Sequence, residues 1–158
     1  MIILGIDCGI AITGWGVVEK GRVANKTTLV EYGVILTSKD LSIPERLLIL
    51  DKELTKIIKK YSPDESAVEE LFYFKNQKTV IQVAEARGVI LSALMRQRVN
   101  IAEYTPLQVK QGVTSSGRAD KAQVQKMVKL LLNLKEIPKP DDAADALAIA
   151  LTHSFVVR

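Results

Sequence analysis

Residues 141–156, "DDAADALAIALTHSFV", read as a helix with no charged face to turn toward water. Ala143, Leu147, Ala150 and Leu151 fill some of its directions, and Ala146, Ile149, Thr152 and Val156 line up along another. A helix that is apolar nearly all round has to be buried, so the remainder of the chain must supply a surface broad enough to cover it. Two acids interrupt this pattern. Asp142 and Asp145 stand three residues apart, facing the same way and in line with the Ile149 stripe. Acids in a first turn favour the helix dipole, and Asp141 reads as a cap. A dipole role does not require alignment with an apolar stripe, so Asp142 and Asp145 ask for another reason.

The covering surface is legible upstream. An apolar, β-branched run from Met1 to Asp7 is followed by a turn at Cys8-Gly9 and by a second run, "ITGWGVVEK". Around Tyr32, the residues Val30, Val34 and Leu36 alternate with Glu31, Gly33 and Thr37, the period of a third strand. Three strands this close in sequence are expected to form an antiparallel meander. Leu47, Leu50, Leu54, Ile57 and Tyr61 then recur at helical spacing after Pro44, and Ser62-Pro63-Asp64 ends that helix. "SAVEELF" reads as a short fourth strand and "VNIAEY" as a fifth, separated by a long helix over 77–98. Thr105-Pro106 opens a short helix, and two more begin at Asp120 and Asp141. The expectation is α/β: a five-stranded mixed sheet, a meander plus two parallel strands, flanked by helices.

With 158 residues, 47% hydrophobic and 25% charged, the chain suits one domain over 1–158. Cys8 is the only cysteine and His153 the only histidine, which excludes an intramolecular disulfide and a zinc cluster. No stretch approaches the roughly 20 apolar residues of a membrane span, and the run before Asp7 is too short for a signal peptide, so a cytoplasmic protein is expected. The net charge is +4, and between Lys110 and Lys139 seven basic residues stand against two acidic ones. Such a segment suits a polyanion, or else a solvated helix face.

On the long helix, Gln82, Glu85, Ser92 and Arg96 form one narrow polar strip, while Val80, Val83, Ala84, Ala86, Gly88, Ile90, Leu91, Leu94 and Met95 cover most of the rest. One sheet cannot cover so wide an arc. Another helix of the chain or a partner subunit must lie over it, and Ala84 and Gly88 would allow close approach. Arg87 points into the arc and requires an acidic mate.

Asp7 ends the first strand and Glu69 lies near the end of the fourth. If these strands are neighbours, both carboxylates emerge at the switch point where open α/β sheets bind ligands. Four carboxylates converging with Asp142 and Asp145 would repel one another unless a cation sat among them. Oxygen-only donors suit magnesium or manganese. Two such ions about 4 Å apart can activate water and stabilise a departing 3′ oxygen, which makes metal-dependent cleavage of nucleic acid the expected chemistry. The basic segment would hold the phosphates. Phe72, Tyr73 and Phe74 form an aromatic triplet that cannot all point inward, leaving at least one to stack on a base.

"GIDCGIAITGWGV", "AVEELF", "ARGV", "VKQGVTSSGRADKAQVQKMV" and "DDAADALAIALTH" resemble, in order and along nearly the whole chain, RuvC-type Holliday-junction resolvases of the ribonuclease H-like superfamily. The resemblance implies a ribonuclease H-like fold and a homodimer joined through the helix near 77–98. It also implies paired, symmetric, magnesium-dependent nicks in four-way junction DNA during recombination and repair, beside the RuvA and RuvB branch-migration proteins. Position by position it makes Asp7, Glu69, Asp142 and Asp145 the catalytic metal ligands. Glu70 is not a ligand by this match. Lys110 and Lys121 fall where the family has basic residues near the scissile phosphate, and Phe72 where an aromatic contacts junction bases. Cys8 and Ile10 depart from the family's usual Pro and polar residue, with Cys8 expected to pack as a small apolar side chain. Asp142 stands where some relatives carry His, which implies a purely carboxylate cluster.

The alternatives are a ribonuclease H-like nuclease acting on RNA and a junction-binding protein without chemistry. "GIDCG" with Thr13-Gly14 is also similar to the phosphate loop of actin-like ATPases and sugar kinases, but those enzymes need two such domains.

Overall fold

The computed structural model describes residues 1–21, 26–71 and 77–157, with 77–79 as backbone only. Strands β1 (Ile2–Asp7), β2 (Ile12–Lys20) and β3 (Thr27–Leu36) form the expected meander. Helix α1 (Ile43–Tyr61) leads to β4 (Glu65–Glu69), and α2 (Gln77–Arg96) to β5 (Asn100–Tyr104). Three helices follow: α3 (Pro106–Thr114), α4 (Lys121–Leu131) and α5 (Asp141–Val156). The sheet order is β3-β2-β1-β4-β5, with β4 parallel to both β1 and β5.

Local chemistry accounts for the helix starts. The Ser42 amide donates to Glu45 Oε2 at 2.8 Å ahead of Pro44, and Leu50, Leu54 and Ile58 then bury one face of α1. Thr105 caps α3 by accepting from the Gln108 amide at 3.2 Å, and Asp120 caps α4 by accepting from the Gln123 amide at 2.8 Å. The expected cap at Asp141 is not formed. Pro140 occupies the N-cap position of α5, no side chain caps the helix, and Asp141 turns instead toward Lys121, at 3.4 Å. The helix starts one residue earlier than a cap at Asp141 requires, so this carboxylate lies in the first turn, where it faces the Lys121 ammonium.

The pleat of β1 divides the core. Leu4 and Ile6 face α1 and α2, packing with Leu50, Leu54, Ile90 and Leu94. Ile3 faces the other way, with Val109, Val128, Leu147 and Leu151 of α3, α4 and α5. Helix α5 is buried almost throughout from Ala143 to Ser154, as its all-apolar circumference requires, although Val156 at its end is 65% exposed. Alanines and glycines let it lie close. A Cβ added to Gly5 would fall 2.2 Å from the Ala146 carbonyl oxygen, and one added to Gly14 would fall 2.0 Å from that of Asp142. The two strands therefore fix the depth of α5 by backbone contact, without intervening side chains.

The Cys8 thiol packs against the α1/α2-side core, and burial drives it well above the ordinary thiol range, consistent with the expected apolar role. Ile10 is also buried there, at 8% exposure, so packing replaces a polar residue at that position. The turn that follows Asp7 is tied down by hydroxyl donors, from Thr13 to the Gly9 carbonyl and from Thr37 to the Ile10 carbonyl. Among the described residues no helix is long and apolar enough to cross a membrane.

Candidate active site

Alternation along the strands decides where the first two acids point. On β1, Ile3 and Gly5 face α5, so Asp7 at the strand's end does too. On β4, Ala67 joins the α5-side core, which puts Glu69 on the same face. Ile6 pairs with Val68 in parallel register, so Asp7 and Glu69 emerge side by side from adjacent C-terminal strand ends and are hydrogen-bonded to each other. Helix α5 starts at this edge and brings Asp142 and Asp145 over it.

The electrostatics show how crowded this edge is. The Asp7 carboxyl is pushed up to about 8, first by burial and then by the charges of Glu69, Asp145 and Asp142. Glu69 is also raised, by burial above all, with the hydrogen bond from Asp7 working in the opposite direction and Asp145 adding repulsion. Asp145 is raised by burial although Lys121 Nζ lies 2.9 Å from its Oδ2. Partial burial opposes the charge of Lys121, yet its bonds to Asp145 and Asp141 hold it above the ordinary lysine range.

The structure thus brings the four sequence-predicted acids into one electrostatic cluster. It does not draw them into one ligand set: among the described residues no three Asp, Glu, His or Cys side chains are already grouped as a metal site requires. Asp7 and Glu69 hold each other, Asp145 is drawn to Lys121, and Asp142 borders a separate recess lined by Gly9–Ile12 and Gln82. The donor chemistry nevertheless fits a hard divalent cation, since all four groups are carboxylates, and a cation is what the mutual repulsion at Asp7 lacks.

Lys110 and Lys121 both border a cavity of about 200 Å³ that Glu69 and Asp145 close on the other side, with Val109, Val124 and Ile149 as its apolar walls. Thr114, Ser116, Arg118, Gln123 and Lys126 line a second hollow between α3 and α4, so four cations of the basic segment, Lys110, Arg118, Lys121 and Lys126, rim these two hollows. Phe72, Tyr73 and Phe74 lie outside the described residues.

Two supporting contacts complete the edge. The acid that Arg87 requires is Glu103 at the end of β5, 2.7 Å away, and Arg87 Nε also donates to the Glu69 backbone carbonyl at 3.4 Å. Deeper under α5, Tyr104 Oη lies 2.8 Å from His153 Nδ1, and His153 Nε2 lies 3.0 Å from Glu65 Oε2, joining the helix to β4 and β5. The sequence marks Arg87 through its misplaced charge. It gives no comparable signal for the His153 network, because its three members are remote in sequence and meet only when α5 crosses the sheet.

Comparison with known proteins agrees with this architecture. A family model described as crossover junction endodeoxyribonuclease RuvC matches residues 3–153. A crossover junction endodeoxyribonuclease RuvC of Fusobacterium nucleatum is 58% identical over 153 residues, covering 97% of this chain and 80% of the relative. The Thermus thermophilus RuvC structure superimposes with a TM-score of 0.92 at 38% identity, over 100% of this chain and 96% of that one. A structure of that protein in complex with Holliday junction substrate matches with a TM-score of 0.91 at 36% identity, again over 100% and 96%. The five-stranded mixed sheet is that of the ribonuclease H-like fold, and the chain belongs to the RuvC family of crossover junction endodeoxyribonucleases.

Proposed function

We propose that this protein resolves four-way DNA junctions by hydrolysing phosphodiester bonds in paired, symmetric nicks, acting in recombination and repair. The observation that carries the proposal is the gathering of Asp7, Glu69, Asp142 and Asp145 at the C-terminal edge of the central parallel strands, directly beside a basic rim. A protein that only bound junctions would have no use for carboxylates whose burial and repulsion work against the fold. The kinship with a family named for cleaving crossover junctions favours DNA over RNA as substrate.

In this reading the four acids hold magnesium, two ions per site, with manganese able to substitute. A metal held there would supply an activated water and a counter-charge for a departing 3′ oxygen. The chain's own residues do the rest. Asp7 and Glu69 are held on strand ends and Asp142 and Asp145 on a helix seated against backbone, so the backbone positions of the four acids are fixed before substrate arrives, and only their side chains have to turn to share a cation. Lys110 and Lys121 neutralise phosphate charge and orient the strand to be cut, and Phe72 stacks on a junction base. Val109, Val124 and Ile149 restrict water around Glu69 and Asp145.

A homodimer accounts for paired nicks. Along α2, Ile81 and Met95 are 63% and 62% exposed, Ala84 is exposed between them, and a Cβ at Gly88 would meet nothing within 4 Å. This stripe of small and apolar residues supports contact with a second copy of the chain, with one active site in each protomer. RuvA and RuvB are the expected partners and the cytoplasm the expected compartment, both by family kinship.

The test is a synthetic four-way junction against linear duplex, with magnesium and with chelator. Junction-selective, magnesium-dependent nicking by wild type is expected, and Asp145→Asn should bind the junction without cutting it. Nicking by that variant at the wild-type rate would remove Asp145 from the site.

A further inference from the structure

Lys121 places a cation directly against the acidic edge. Its backbone is fixed as the first residue of α4 by the Asp120 cap, and its ammonium reaches across to α5, 2.9 Å from Asp145 Oδ2 and 3.4 Å from Asp141 Oδ2. The same ammonium borders the cavity that Glu69 and Asp145 close. Asp145 is thus engaged by an ammonium, and no three acidic side chains among the described residues are grouped for metal binding. The ammonium occupies Asp145 Oδ2 and repels any second cation placed beside it, so Lys121 and a metal ion compete for this carboxylate.

We propose that Lys121 is an internal stand-in for the metal, holding Asp145 until a junction phosphate draws the lysine away, so that metal loading is coupled to substrate binding. The proposal rests on the metal-dependent reading above. Its logic is an exchange of partners. In DNA-free protein Lys121 pairs with Asp145. When a phosphodiester enters the cavity, Lys121 gains a second anion within reach, and Asp145 becomes available for metal. The coupling is reciprocal by thermodynamic necessity: if DNA tightens metal binding by some factor, metal tightens DNA binding by the same factor. A nuclease built this way loads its cofactor where a phosphate is present to be cut, which limits metal-charged enzyme away from DNA.

Titration of manganese(II) alone into the DNA-free protein, followed by calorimetry or by the loss of its free-ion paramagnetic resonance signal, tests the exchange. Lys121→Met and Lys121→Gln should each bind manganese about fivefold more tightly than wild type, the factor that an ion pair worth about 1 kcal/mol would withhold. Lys110→Met is the control, because Lys110 borders the same cavity without forming an ion pair to Asp145, and it should change the affinity by less than about twofold. Junction DNA should tighten manganese binding to wild type and leave both Lys121 variants nearly unchanged. Equal affinities in wild type and both Lys121 variants, or the same gain in Lys110→Met, would overturn the exchange while leaving the metal site standing. Absence of manganese binding by wild type even with junction DNA, or binding undiminished by Asp145→Asn, would instead overturn the metal-dependent reading itself.

Discussion

Gly14→Ala provides a stringent test of how α5 is seated. A Cβ at position 14 would sit 2.0 Å from the Asp142 carbonyl oxygen and 2.4 Å from its carbonyl carbon, whereas ordinary contact begins near 3.4 Å. The start of α5 would therefore have to retreat by about 1.4 Å, the difference between the first and last of these distances. Neither side can yield by changing rotamer, because the methyl is fixed to β2 and the atoms it meets are backbone. Overpacking of this kind costs about 1–3 kcal/mol, and the upper end applies where only backbone can move. For a domain of this size that corresponds to a loss of roughly 6–12 °C in Tm. The larger effect falls on catalysis. Asp142 is the very residue displaced and Asp145 is one turn further on, and a misplacement of about 1 Å can reduce turnover by about a hundredfold. Junction affinity should change only a few-fold, since the basic rim is carried by α3 and α4. The assays are thermal melting, electrophoretic binding and single-turnover nicking. A Gly14→Ala protein that cuts at the wild-type rate and melts at the wild-type temperature would refute the claim that backbone contact sets the position of α5.

Stability of metal-free protein should fall as pH rises. The Asp7 carboxyl is held near 8 in the fold against 3.8 in the unfolded chain, so between these values the folded state keeps a proton that the unfolded state has lost. The contribution is complete below about pH 4 and gone above about 8, with a slope of at most about 1.4 kcal/mol per pH unit for one proton. Urea midpoints in chelator at pH 5, 6.5 and 8 would measure it, and a midpoint that rises across this window would contradict the buried, crowded carboxyl. Met95→Lys places a charge on the exposed apolar stripe of α2 and should leave a monomer in light scattering at micromolar concentration, with its melting temperature little changed. Persistence of the dimer would move the interface elsewhere. Phe72→Ala should slow junction cleavage by about tenfold, as expected for one lost stacking contact, without altering thermal stability. An unchanged rate would assign that side chain to packing.

Much of this molecule is written in short-range pattern. The strand around Tyr32, the spacing from Leu47 to Tyr61, and the caps at Thr105 and Asp120 each depend on residues within a few positions of one another, and all appear in the structure, although the residues that turn inward along that strand are Leu29, Ile35 and Thr37 while Val30 and Leu36 are exposed. The boundaries shift only slightly: β4 ends at Glu69, before the expected Phe72, and α2 ends at Arg96, two residues early. The acids of the site were legible for a related reason. A carboxylate inside an apolar run is costly to bury, so Asp7, Glu69, Asp142 and Asp145 stand out from their surroundings without any knowledge of their neighbours.

What the tertiary structure alone decides is which charges meet. Asp141 has the spacing of a cap, yet Lys121, 20 residues away in sequence, claims it once α4 packs beside α5. Lys121 reads as a phosphate contact, and only the crossing of those helices shows that it already holds Asp145. Gly14 reads only as a residue of the second strand run until the backbone of Asp142 is found against it. Sequence pattern reports the preferences of each element for burial and for local hydrogen bonds. The distance between an ammonium on one helix and a carboxylate on the next depends on how closely both lie on the sheet, and here that depth is set by a glycine on β2 meeting the backbone of α5.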